Sequence, residues 1–322
     1  MDQAEKLRNM MKAQNSGQDT QQDNQQDVQQ DNVQSGIEAG NQSAAPVCQA
    51  RVITVTSGKG GVGKSSTSIN LAMQFRKMGK SVIIFDADFG LANIEVMFGS
   101  IPKYNLADMI FRGKEFKDII VNGPEGIGFV SGGSGINGLG NMTTEQVQFL
   151  VRKLKELETY ADIIIVDTGA GISDSVLEFV ASSGEIVLVT TPEPTSITDA
   201  YALIKTLNTR AGFDRDSSVI KLLANRVSSY EEGKNVYNKL EVVANKFLNI
   251  NLKFLGSIPM DLNMSKAIMQ QKPISCAYPN STATKAFEQV AKALLDNKEA
   301  GEVKRSGIAR AVMSMFERGF RK

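Results

Sequence analysis

Short aliphatic runs alternate along this chain with longer stretches in which apolar residues recur every three or four positions. The runs at 51–56, 81–86, 127–131, 162–167, 185–190, 219–224 and 252–257 have strand length and little polar interruption. That pattern predicts strands covered on both faces. Helical periodicity at 64–78, 143–159, 196–210, 231–247 and 281–297 predicts amphipathic helices between them. Such alternation implies an α/β fold, a doubly wound and mainly parallel sheet flanked by helices. Right-handed crossovers then gather the C-terminal ends of the strands at one edge, where ligands bind.

The alternation stops at both ends. Residues 1–12 (MDQAEKLRNMMK) predict a short helix with Ala4, Leu7, Met10 and Met11 on one side. Residues 13–47 are mostly Gln, Asp, Asn and Ser, too poor in apolar groups to offset chain entropy, and read as a disordered linker. One α/β domain is expected over 48–300, and a separate tail over 301–322.

Composition removes several classes. With no histidine, histidine-dependent catalysis is excluded, and Cys48 and Cys276 form no Cys-x-x-Cys pair that would hold zinc or an iron–sulfur cluster. A net charge of +1 gives no global attraction to nucleic acid. No apolar run reaches the roughly 18 residues of a membrane span, and the Gln-rich start is unlike a secretory leader, so a cytoplasmic address is expected.

The chemistry lies where the first strand meets the first long helix. Gly58-Lys59-Gly60-Gly61-Val62-Gly63-Lys64-Ser65 fits G-x-x-x-x-G-K-[ST], preceded by an apolar strand and followed by a helix. Glycines let backbone N–H groups turn toward phosphate, and the helix N-terminus adds partial positive charge. The expected ligands are ATP and Mg²⁺, with Lys64 on the β- and γ-phosphates, Ser65 on the metal, and Ser66 completing the nucleotide-binding turn. Asp86 and Asp88 stand two apart at the end of the second strand, on one face and directed at the phosphates. Asp88 as a helix N-cap is the alternative. Asp167 ends the strand Ile163–Val166 and reads as a metal-supporting carboxylate, followed by the mobile-backbone pair Gly169 and Gly171.

The additional lysine, Lys59 in Lys-Gly-Gly-x-Gly-Lys-Ser, resembles the deviant P-loop of the MinD/ParA family of ATPases. The resemblance implies an ATP-bound homodimer in which Lys59 reaches the partner's nucleotide. It also implies that Asp88 orients the attacking water, that Asp86 and Asp167 support Mg²⁺, and that hydrolysis is slow and ends an "on" state. Leu223-Ala224-Asn225-Arg226-Val227 and Gly256 to Asp261 are similar to family segments at the adenine, so Asn225, Arg226 and Pro259 are candidate base contacts. Each could equally be a turn.

The ends narrow the family. From Lys304 the chain has six basic residues and one acidic residue, and Ile308, Val312, Met315, Phe316 and Phe320 share one helical side. This reads as an amphipathic anchor for an anionic membrane surface, the alternative being a helix docked on its own domain. At the other end, Asp2, Gln3, Ala4, Leu7 and Arg8 match the Asp-Gln-Ala-x-x-Leu-Arg motif of the flagellar-number branch, FlhG (also called YlxH or FleN). That resemblance implies activation of an FlhF-type GTPase, with flagellar C-ring components as further partners. A MinD-type division-site ATPase is the runner-up, and a ParA-like DNA-partition ATPase stands below it. The core outside the tail is slightly acidic, so no sequence-specific DNA binding is expected.

Overall fold

The computed structural model describes residues 50–88, 93–132, 143–210, 212–215, 218–296 and 307–319. The proposed partner-activating residues Asp2, Gln3, Ala4, Leu7 and Arg8, the 13–47 segment and Phe320 lie outside them.

Eight strands form one sheet in the order β3-β4-β2-β5-β1-β6-β7-β8. They are β1 (Arg51–Ser57), β2 (Val82–Ala87), β3 (Val121–Asn122), β4 (Gly128–Ser131), β5 (Ile163–Ala170), β6 (Glu185–Thr190), β7 (Val219–Val227) and β8 (Leu252–Pro259). All pair in parallel except β3 with β4. The helices are α1 (Lys64–Lys77), α2 (Asn93–Phe98), α3 (Leu106–Arg112), α4 (Phe116–Ile119), α5 (Thr144–Leu157), α6 (Asp174–Ala181) and α7 (Pro194–Asn208). Then follow α8 (Tyr230–Leu248), α9 (Leu262–Met269), α10 (Ile274–Ala277), α11 (Thr282–Asp296) and α12 (Ile308–Gly319).

The seven expected strands and five expected helices are all present, and the doubly wound parallel fold holds. The two-residue β3 and the short helices α2, α3, α4, α6, α9 and α10 are additions, since so few residues carry little periodicity. None of the described helices is long and apolar enough to cross a membrane.

Strand alternation splits the core. Ile53, Val55, Ile84, Ile163 and Ile165 face α1 and α11. Ile83, Phe85, Ile164 and Val166 face α3, α5 and α12. β1 sits between β5 and β6, the point where successive crossovers diverge and a crevice opens at the strand ends.

One ion network anchors the opposite, N-terminal end of the strands. Arg51 grips Glu185 with Nε and Nη2, each at 2.8 Å, and donates to the Leu294 carbonyl at 2.6 Å. Lys221 Nζ meets Glu185 Oε1 at 2.7 Å. Burial alone would raise the Glu185 carboxyl, but the bonds and charge of Arg51, and then of Lys221, hold it below its ordinary value.

The C-terminal helix α12 is docked on the domain. Ile308, Ala309, Ala311 and Val312 are buried with α5 residues in one cluster, and Met315 packs against it. The Ser314 hydroxyl donates to Glu178 of α6, which Arg210 holds at 2.7 Å. The apolar face that the sequence assigns to a membrane, including Ile308 and Val312, therefore lies against protein in this conformation.

Candidate functional site

The loop between β1 and α1 is shaped by three glycines with three different jobs. A Cβ on Gly58 would stand 2.1 Å from the Asp199 carbonyl oxygen, so its bare backbone lets α7 close against the loop. Gly63 sits at φ 93°, in left-handed space that L-residues avoid, and its Cβ would meet Asn225 Nδ2 at 2.3 Å. Gly60 faces open space, where a ligand can approach the backbone. α1 begins directly at Lys64, with no acidic residue in its first turn to compete for an anion. Ser65 and Ser66 are half-buried in that turn.

Two carboxylates converge beneath this loop. Asp86 and Asp167 are register partners on β2 and β5, 2% and 0% exposed. Lys64 Nζ lies 3.2 Å from Asp167 Oδ1, which also accepts from the Ser68 hydroxyl at 2.8 Å. Burial first, and then the neighbouring Asp167 charge, push Asp86 up to about 8. Asp86 Oδ2 and Asp167 Oδ2 are buried with no hydrogen-bond partner. Two adjacent desolvated carboxylates with lone pairs to spare are an arrangement that a cation completes. Among the described residues no cluster of three or more carboxylates or thiols could hold a metal alone. The donor set therefore suits Mg²⁺ held partly by phosphate, with the Ser65 hydroxyl nearby.

Asp88 lies beyond the strand end. Its N–H donates to Asp86 Oδ1 at 3.0 Å, and its Oδ2 accepts from Asn93 Nδ2 at 3.4 Å. α2 is described from Asn93 onward, and residues 89–92, on which the N-cap alternative for Asp88 depends, lie outside the described residues. A Cβ on Gly169 would be 3.8 Å from Asp88 Oδ1, so the glycine segment after Asp167 faces this carboxylate.

Lys59 points away from its own phosphate loop. Its Nζ donates to Glu193 Oε2 at 3.0 Å and Thr195 Oγ1 at 2.8 Å, both at the start of α7, and it stays 37% exposed. Asn225 has a job that the sequence reading missed. Its Nδ2 donates to the Val62 carbonyl at 2.7 Å, and its Oδ1 accepts the Arg226 N–H at 2.9 Å. It braces the P-loop and retains the second Nδ2 hydrogen and the second lone pair of Oδ1 for a base. Arg226 is exposed at φ 56°, and Pro259 pairs in register with Val227, so both line the same strand-end edge. Ser68 also went unremarked, although its position one helical turn after Lys64 puts both on one face.

A family model described as ParA, an NUBPL iron-transfer P-loop NTPase, matches residues 49–295. The chain belongs to the ParA/MinD family of P-loop NTPases. It is 42% identical over 242 residues to the antiactivator FleN of Pseudomonas aeruginosa, covering 75% of this chain and 85% of that protein. It is 33% identical to the flagellum site-determining protein YlxH of Helicobacter pylori, over 80% and 87% of the two chains. Among solved structures it resembles MinD in the MinC:MinD cell division complex of Aquifex aeolicus. That match has a TM-score of 0.60 at 25% identity, covering 77% of this chain and 97% of the other. MinD from Pyrococcus horikoshii, solved with Mg-ADP, shares the fold with a TM-score of 0.60 at 23% identity, over 80% and 99% of the chains. ParA/MinD-family P-loop NTPases are ATPases, and this chain carries their nucleotide-binding architecture.

Proposed function

We propose that the chain hydrolyses ATP as a dimerising switch that sets flagellar number and placement, cycling on a membrane and activating an FlhF-type GTPase. The observation that carries the ATPase reading is the buried Lys64–Asp167–Asp86 cluster under a glycine loop, with two carboxylate oxygens lacking partners. The flagellar assignment is supported by the likeness to FleN and YlxH and by Asp2, Gln3, Ala4, Leu7 and Arg8.

In this reading the P-loop N–H groups and Lys64 hold the triphosphate, and Ser65, Asp86 and Asp167 hold Mg²⁺. When bound, the ion would supply neutralisation of phosphate charge. Asp88 positions a water in line with the γ-phosphorus. The new P–O bond forms as the β–γ bridging bond breaks, leaving ADP and inorganic phosphate. Lys59, free of Glu193, neutralises developing charge in the partner's site, which makes turnover slow without a partner. Arg226 and Pro259 flank the adenine, with the remaining Nδ2 hydrogen and Oδ1 lone pair of Asn225 available to it.

The docked tail sets the membrane step. Burying Ile308 and Val312 contributes about 1.5–3 kcal/mol each, a sum that lipid must match when α12 leaves the domain. One tail then binds weakly, and two tails in an ATP dimer bind with avidity.

The test is GTP hydrolysis by the cognate FlhF-type GTPase with the full chain or a peptide of residues 1–20. Stimulation that vanishes on replacing Leu7 and Arg8 with alanine supports the flagellar assignment. Its absence in both formats moves the reading to a division-site ATPase of the MinD type, with which the MinD relatives are consistent.

A further inference from the structure

The segment around α3 carries a surface that the nucleotide site does not use. Ile101 is 90% exposed and Phe111 is 58% exposed. Between them in sequence, the Tyr104 ring is flanked by two ammonium groups, Lys103 Nζ at 5.2 Å and Lys114 Nζ at 4.3 Å from its centroid. The bond and charge of Lys103, and then Lys114, hold the Tyr104 hydroxyl below its ordinary range, a sign of local positive potential.

The carboxylates of this segment are already engaged. Asp108 closes a capping box with Asn105 and pairs with Arg112 at 2.9 Å. Glu115 pairs with Lys153, and Asp118 accepts the Glu115 N–H at 3.1 Å. Lys103, Lys114 and Lys117 make no ion pair among the described residues. Lys103 and Lys117 are exposed, and Lys114 is half-buried. Large exposed apolar groups beside three lysines that outnumber the segment's one carboxylate without an ion pair among the described residues, Asp118, suit a surface that is itself apolar and anionic.

The position of the patch matters as much as its composition. Tyr104, Ala107 and Ile110 pack on the same core cluster as Ile308, Val312 and Met315 of α12. α3 and α12 therefore belong to one helical layer, on one face of the sheet.

We propose that Ile101, Phe111, Lys103, Lys114 and Lys117 form a second contact with an anionic lipid surface, in the same layer as the C-terminal helix. The two apolar side chains enter the headgroup boundary, and the three ammonium groups pair with lipid phosphates. The patch supplies orientation that a single tail lacks, presenting this helical layer to the bilayer. The inference rests on the membrane reading above.

The chain has no tryptophan, so Phe111→Trp installs a sole indole reporter in the full-length protein. With ATP present, vesicles containing phosphatidylglycerol are expected to shift its emission to the blue, and pure phosphatidylcholine vesicles are not. Lys103→Gln, Lys114→Gln and Lys117→Gln together are expected to weaken binding to anionic vesicles by roughly tenfold to a hundredfold. Their vesicle-free ATP turnover should stay unchanged. Ile101→Trp serves as a second reporter should Phe111→Trp fold poorly. If the protein pellets with anionic vesicles while neither reporter shifts and the triple variant binds normally, the patch is refuted and the tail alone is the anchor. If nothing pellets, the patch and the membrane reading both fall. A shift produced by the FlhF-type GTPase and not by vesicles would reassign the surface to a protein partner and overturn the proposal.

Discussion

Gly63→Ala measures how the phosphate loop is braced. Gly63 adopts φ 93°, and a methyl there would approach Asn225 Nδ2 to 2.3 Å. Left-handed backbone costs an L-residue about 1–2 kcal/mol. A stiffer unfolded chain offsets roughly 0.4–1 kcal/mol of that. The collision also drives Asn225 off the Val62 carbonyl that it holds at 2.7 Å, and a buried bond of this kind is worth about 0.5–1.5 kcal/mol. The expected loss is therefore about 0.5–3 kcal/mol. In an Asn225→Ala background the bond is already absent, and only the conformational part, about 1 kcal/mol, remains. Urea denaturation of the nucleotide-free parent, both single variants and the double variant closes the cycle, given equal m-values. A coupling of about 0.5–1.5 kcal/mol is expected. Equal losses in both backgrounds would refute the claim that Asn225 braces the loop. Gly60→Ala is the companion control, expected to move stability by less than about 0.5 kcal/mol while weakening ATP binding.

Asp86→Asn removes a carboxyl whose ionisation the fold opposes and should stabilise the nucleotide-free chain by about 1–3 kcal/mol as pH approaches 8, while abolishing Mg²⁺-dependent turnover. Because the folded carboxyl is raised toward about 8, wild-type stability falls as pH climbs from the ordinary carboxylate range to that value, so the urea-midpoint advantage of the variant should widen between pH 5 and pH 8. Glu185→Gln strands Arg51 and Lys221 and should cost about 3–5 kcal/mol at neutral pH by thermal melting. In the parent, the stabilisation tied to ionised Glu185 should be lost only as pH drops from the ordinary carboxylate range through its depressed folded value. Asp88→Ala should bind ATP normally yet accumulate as an ATP-bound dimer that pellets with anionic vesicles. Wild-type levels of pelleting and turnover would remove Asp88 from the hydrolytic step.

The strands were readable because parallel strands covered on both faces need contiguous aliphatics, and Ile163 to Val166 and Ile186 to Val189 supply them. Lys64, Asp86 and Asp167 were readable because strand ends and one glycine loop fix their positions along the chain. Pairings between distant segments were not. Nothing near Asn225 announces a bond to Val62, and nothing near Lys59 announces Glu193, more than a hundred residues away. β3 escaped because two residues show no alternation. The tail exposes a deeper ambiguity. An apolar stripe at Ile308, Val312 and Met315 suits a lipid boundary and a protein groove alike, since both reward the same burial.

The hold on Lys59 bears on tempo. An exposed lysine paired with a 59% exposed glutamate gains about 0–1 kcal/mol, less as salt rises. A catch that shallow opens on the time scale of side-chain rotation, far too fast to govern a regulatory cycle. The lysine is thus always effectively available, and its rest position cannot act as a clock. In the dimer reading proposed above, whatever delay the protein imposes would come from the rarity of encounters between two chains, or from the chemistry after they meet. The lifetime of the active form would then follow how crowded these molecules are at their working surface, making the switch a counter of its own local abundance.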